Sequence, residues 1–144
     1  MESGINPGIS GDEGEAFTNH SIIGSVSDEA RGHIYFFVWH NNESKNSVLR
    51  YDDEDESVII VYSTKWFNFA YNSVVQGSVT HVSSAEFGQG TGEKTFLYFT
   101  DNHNEPRCLD IEACLNDISS GYTDQEVVEF ISLCPIAPLT PIVP

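Results

Sequence analysis

Residues Thr95–Asn116 read TFLYFTDNHNEPRCLDIEACLN. An apolar, aromatic run ends in five polar residues, a proline and an arginine, and apolar residues then resume. Two readings compete. In one, Asp101, His103 and Glu105 are ligands gathered on a loop. In the other, Asp101–Arg107 is the turn between two antiparallel strands. Asp101, His103, Glu105 and Glu112 stand at positions one, three, five and twelve, the spacing of an EF-hand calcium loop. Pro106, however, occupies the sixth position, where such a loop needs glycine, and the segment before it has strand character. Alternate residues of an extended segment share a face, so Asp101, His103 and Glu105 also make a weak transition-metal candidate. A solvated turn explains the same residues without an ion, and no metal or other cofactor is expected.

As a turn, the segment has a physical logic. The side chain of Asp101 can accept backbone N–H groups in an Asx-type turn, Pro106 stiffens the exit, and Arg107 can pair with Asp101 or Glu105. Such a partly exposed pair contributes about 0–1 kcal/mol. Leu97 and Tyr98 point to opposite faces of the preceding strand.

The same pattern extends outward. Ser21–Ser27, His33–His40, Asn46–Asp52 and Ser57–Ser63 are short β-type runs, separated by the polar turns Asn41–Ser44 and Asp53–Glu56. They predict a four-stranded antiparallel meander over residues 21–63. Ser73–Ser83, Thr95–Asp101 and Arg107–Ile111 predict a second meander over 73–112. The chain is therefore read as all-β and mainly antiparallel, two similar sheet units in tandem within residues 21–134. Thr123, Asp124, Gln125 and Glu126 form a capping-box pattern that predicts one short helix within 123–133. Residues 1–20 are read as a flexible arm. Residues 135–144, with prolines at 135, 138, 141 and 144, are read as an extended connector.

Composition narrows the function. The 144 residues carry 22 acidic and 6 basic side chains, a net charge of −16. Such a field repels phosphate and anionic headgroups, so neither nucleic acid nor a membrane surface is an expected partner. No apolar run has the length of a bilayer span. Met1–Phe17 lacks the basic and apolar regions of a secretory signal. The three cysteines, Cys108, Cys114 and Cys134, have no CxxC spacing and are expected to be reduced.

Several other features favour structure over chemistry. Gly88–Thr95 looks like a phosphate loop, but Glu93 intervenes before Lys94 and a strand follows where a helix is needed. No GxSxG elbow supports a nucleophilic triad. Cys108 beside Arg107 has no evident base and reads as a passive thiol. Asp52–Glu56 is a solvated hairpin tip. The aromatics at 35–39 are expected in the core. Trp66, Phe67, Phe69 and Tyr71 lie in a connection and are candidates to face a partner.

The opening stretch also carries a resemblance. Leu97-Tyr98-Phe99-Thr100-Asp101, Asn104-Glu105-Pro106-Arg107 and Leu109-Asp110-Ile111-Glu112 together resemble the pattern LYWTD–NEPR–IN(I/V)E. Variants of its first part occur in YWTD-type β-propeller blades. The longer pattern resembles that of a structural protein of tailed bacteriophages, especially crAss-like phages. Ile23–Asp28, Ile34–Val38 and Ser47–Asp52 are similar to that family's preceding blade. Cys108 departs from it, standing where a basic residue is expected, and family members continue beyond residue 144. The resemblance implies propeller-like blades and a non-enzymatic virion protein, portal-proximal or in the tail, assembled in the bacterial host cytoplasm. It also implies that the protein joins other virion proteins in an oligomeric assembly. Two readings of other classes stand beside it: a carbohydrate-binding or adhesion module, and a fragment of a propeller-based glycan hydrolase.

Overall fold

The structure is a computed structural model that describes residues 19–83 and 93–132. Most of the proposed arm, the Gly-rich loop before Glu93 and the proline-rich connector lie outside the described residues. Short β-type runs bounded by turn residues produce seven strands: β1 (His20–Asp28), β2 (His33–His40), β3 (Ser47–Asp52), β4 (Ser57–Ser63), β5 (Gln76–Ser83), β6 (Glu93–Thr100) and β7 (Arg107–Asp110). They form two antiparallel sheets, β1-β2-β3-β4 and β5-β6-β7, each in sequence order. The two tandem meanders expected from the sequence are present.

The helix expected near 123–133 is α2 (Asp124–Phe130); a shorter helix, α1 (Ile111–Leu115), precedes it. For α2, Thr123 and Glu126 form the reciprocal capping box. The side-chain oxygen of Thr123 accepts the Glu126 N–H, and the Glu126 carboxylate accepts the Thr123 N–H. Helix α1 departs from the sequence reading, which carried the last strand through Ile111. Asp110 ends the strand instead, because its carboxylate accepts the Ala113 N–H and caps the helix.

The two sheets share one core. Tyr35 and Phe37 of β2, Val48 of β3, Leu97 and Phe99 of β6 and Leu109 of β7 are almost wholly buried in it. At its centre, Phe37 lies 4.8 Å from Phe99 and 6.4 Å from Phe69, measured between ring centroids. Phe67 stacks on Phe69 at 5.2 Å. The sheets meet where the Val75 N–H donates to the Ile23 carbonyl at 2.9 Å. Gly24 sits at this junction, and a Cβ there would collide with the Val75 carbonyl. The pairing of β1 with β2 shifts register between Ile22 and Gly24, a bulge that carries Ile22 outward while Ile23 enters the core.

Cross-strand register also defines the face of the first sheet that points away from this core. Ser25, Phe36, Leu49 and Ile60 form one row across β1–β4. Ser27, Ile34, Tyr51 and Val58 form the next. None of these eight residues belongs to the buried core. Val58 and Ile60 are 58% and 64% exposed. An apolar band therefore runs along the outer face to the edge strand β4.

The cysteine expectation is corrected. Cys108 is disulfide-bonded and not a passive thiol. Spacing in sequence gives no information about which thiols a fold brings within bonding distance. Cys114 is free and buried, and burial first, then the nearby Asp110 and Glu112, pushes its thiol up to about 12. It is accordingly poorly reactive at neutral pH.

Candidate functional site

The opening stretch of sequence forms the wall of a pocket of about 570 Å³. Its residues come from four places: Glu43 from the turn after β2, Trp66 and Asn68 from the connection after β4, Asn104, Glu105 and Arg107 from the turn between β6 and β7, and Val128 and Ser132 from the end of α2 and just beyond it.

Asp101 organises the turn. One carboxylate oxygen accepts the His103 N–H at 2.9 Å and the Asn104 N–H at 2.8 Å. The other accepts the Asn104 side-chain amide at 2.8 Å. Asp101 is buried. That burial raises its pKa, but the hydrogen bonds from Asn104 and His103, with the Arg107 charge, outweigh it. The carboxyl is held below its ordinary value. Asn102 supplies the left-handed residue that closes the turn.

The turn also grips the connection that follows β4. Asn104 and Asn68 exchange two hydrogen bonds. The Asn68 amide donates to Asn104 Oδ1 at 2.9 Å, and the Asn104 amide donates to the Asn68 carbonyl at 3.0 Å. Arg107 donates to the Trp66 carbonyl at 2.9 Å and to the Glu105 carbonyl at 2.6 Å. It does not form the carboxylate pair expected from the sequence. Its guanidinium satisfies carbonyls that the short 3-10 turn Lys65–Phe67 leaves open. Burial lowers the Arg107 pKa, against the opposing pull of Asp101 and Glu105.

The ligand candidates are not brought together. Glu112 accepts the Thr95 N–H at 2.8 Å, at the far end of β6 from Asp101. Six residues of strand separate the two, roughly 20 Å. The calcium-loop spacing needed a compact loop, and a strand and a helix lie within the span instead. His103 and Glu105 are exposed. Among the described residues, no three His, Cys, Asp or Glu side chains are placed to hold a metal ion.

The aromatic candidates separate as well. Phe67 and Phe69 are buried, 1% and 6% exposed, and belong to the core rather than to a partner-facing surface. Thr64 caps the 3-10 turn, and the turn swings Phe67 inward. Trp66 is half-buried in the pocket wall, with Lys65 Nζ 5.0 Å from its ring centre. Tyr71 is 67% exposed and packs edge-on against Trp39.

One constellation was not legible in the sequence. Asp28 Oδ1 lies 3.0 Å from His81 Nε2, and His81 Nδ1 lies 3.1 Å from Thr95 Oγ1. The order resembles a hydroxyl–imidazole–carboxylate relay. Thr95, however, is 3% exposed and does not line the pocket. The relay ties β1, β5 and β6 together across the sheet junction. Nothing in a linear sequence marks residues 28, 81 and 95 as neighbours.

Comparison of the chain with protein-family models, with curated proteins and with solved structures finds no match.

Proposed function

We propose that the chain is a non-enzymatic structural protein that works by packing against other proteins, as a component of a tailed-phage virion near the portal or in the tail. The apolar outer face of β1–β4 carries the contact part of this reading. Phe36, Leu49, Ile34 and Tyr51 form a band that ends at the exposed Val58 and Ile60. An antiparallel sheet with one solvated face normally presents polar side chains there, and a large exposed apolar patch marks an interaction surface. The motif resemblance in Leu97–Arg107 supports the phage part. The net charge of −16 favours protein partners over the packaged genome.

The test is proteomic. In cells infected by a phage encoding this chain, its peptides are expected in purified particles. Ile60→Asp places a charge in the outer face at a residue already 64% exposed. It is expected to deplete the chain from particles while the purified variant keeps the wild-type melting temperature. Wild-type chain found only outside particles would overturn the virion assignment.

The pocket beside Trp66 favours a second reading, a saccharide-binding module. An aromatic ring bordered by Asn68, Asn104, Glu43 and Glu105 offers a stacking surface with planar polar groups around it. Glycan-array binding that Trp66→Ala abolishes would favour this reading over the first.

A further inference from the structure

The two sheets leave four edges, and three are managed within the chain. β1 and β5 lie alongside each other, joined by the Val75–Ile23 backbone bond and by His81 with Asp28. The β7 edge is met by the Ile131 carbonyl, which accepts the Cys108 N–H at 3.1 Å. The fourth edge is β4. Among the described residues, no backbone hydrogen bond from outside its own sheet reaches Ser57–Ser63. Tyr62 is secured to Ser119 by its hydroxyl at 3.0 Å, which covers one end. The other end, Ser57–Ile60, is exposed at every residue.

Natural edges are usually guarded by charge, proline or a bulge. Ser57–Ser63 reads SVIIVYS, with no charged residue and no proline. Its one irregularity is the register shift beside Val61, beyond the open end. The strand is thus a template for pairing with another strand.

Charge selects the orientation. The turn entering β4 is Asp52–Glu56, five consecutive acids. Lys65 lies just past the exit of β4. Lys45 lies there too, because Ser63 Oγ donates to the adjacent Ser44 carbonyl at 3.1 Å. Both lysines are exposed, and among the described residues neither has a carboxylate partner within 4.0 Å. A parallel neighbour of the same sequence would set acids against acids. An antiparallel neighbour sets the acids of one copy beside the lysines of the other, at both ends.

We propose that the β4 edge binds a second copy of this chain, antiparallel and two-fold symmetric, to make a continuous eight-stranded sheet. This deepens the protein-contact reading and rests on it. Directly opposed residues of an antiparallel ladder share a face, so the symmetric register must pair a residue with its own copy. Centring on Ile59 matches the open segment. Ile59 then faces Ile59 and the exposed Val58 faces the exposed Ile60, each in both directions. Asp53 falls opposite Lys65.

Size-exclusion chromatography with light scattering, with cross-linking of Ile59→Cys, tests this. Opposed strand residues lie about 4.5–5.5 Å apart between Cα atoms, within the range a disulfide spans. The wild type is expected to be a dimer, and Ile59→Cys is expected to form a covalent dimer on mild oxidation. Ser25→Cys, an exposed outer-face position on β1, is not. Lys45→Glu with Lys65→Glu, both on the surface, is expected to raise the dimer dissociation constant about tenfold. Adding Asp53→Lys and Asp55→Lys to that variant is expected to restore it. A wild-type monomer overturns the inference, and incorporation into particles then decides the broader reading separately. A dimer that cross-links through Ser25→Cys but not Ile59→Cys also overturns it, while leaving association through the outer face intact.

Discussion

Phe37→Ala is expected to lower the stability of the chain by about 3–5 kcal/mol, a large part of the roughly 5–15 kcal/mol available to a domain. Phe37 is 0% exposed and stands where the two sheets meet. Its ring touches Phe69 from the connection and Phe99 from the second sheet. Removing it opens a cavity that three separate chain segments would have to collapse together to fill, and the backbone of a sheet yields little. A urea titration followed by tryptophan fluorescence measures the loss. Phe36→Ala is the control. Phe36 is the next residue on the same strand, but it lies on the outer face and is only half-buried. Its loss is expected to be well under that of Phe37. Equal losses would mean that the outer face is packed as tightly as the core, against the half-buried position of Phe36 on it.

The contrast between Phe36 and Phe37 also shows what a sequence can and cannot reveal here. Strand existence was legible, because alternation and turn residues act locally. The capping box at Thr123 and the side-chain turn at Asp101 were legible for the same reason: donor and acceptor lie within three residues. Which face of β2 meets the core was not legible, since HIYFFVWH is apolar on both faces. Only packing against β6 and the connection decides it. The fate of Trp66–Tyr71 was lost in the same way. The sequence placed these residues in a connection, and connections usually run over the surface. Here Asn104 and Arg107, roughly forty residues later, hold that connection down and carry Phe67 and Phe69 inward. The Asp28–His81–Thr95 relay and the Cys108 bond are likewise long-range events without a local signature. The candidate pocket was half-legible. Its wall at Asn104–Arg107 is legible as a turn, while its joining to Trp66 depends on tertiary contact.

That joining gives Asp101 a larger effect than an ordinary turn residue has. Asp101→Ala is expected to cost about 3 kcal/mol, because it strands the His103 and Asn104 N–H groups and releases the Asn104 side chain. Asn104 in turn holds Asn68, so the connection beneath the pocket loosens with it. Asp101→Asn retains an oxygen for the two backbone donors but turns an amide donor toward the Asn104 amide, and about half of that cost is expected. The acid response separates the charge from the geometry. The folded carboxyl is held below its ordinary value, so it favours the folded state fully above the unfolded pKa, about 4. That contribution fades as the pH falls through the lower folded value. Urea midpoints of the wild type and Asp101→Asn should therefore differ by a constant amount from neutrality to about pH 5 and converge below about pH 4. A difference unchanged down to the acid limit would show that the carboxylate charge is not what holds the turn. The three hydrogen bonds to Asp101 would then act through geometry alone.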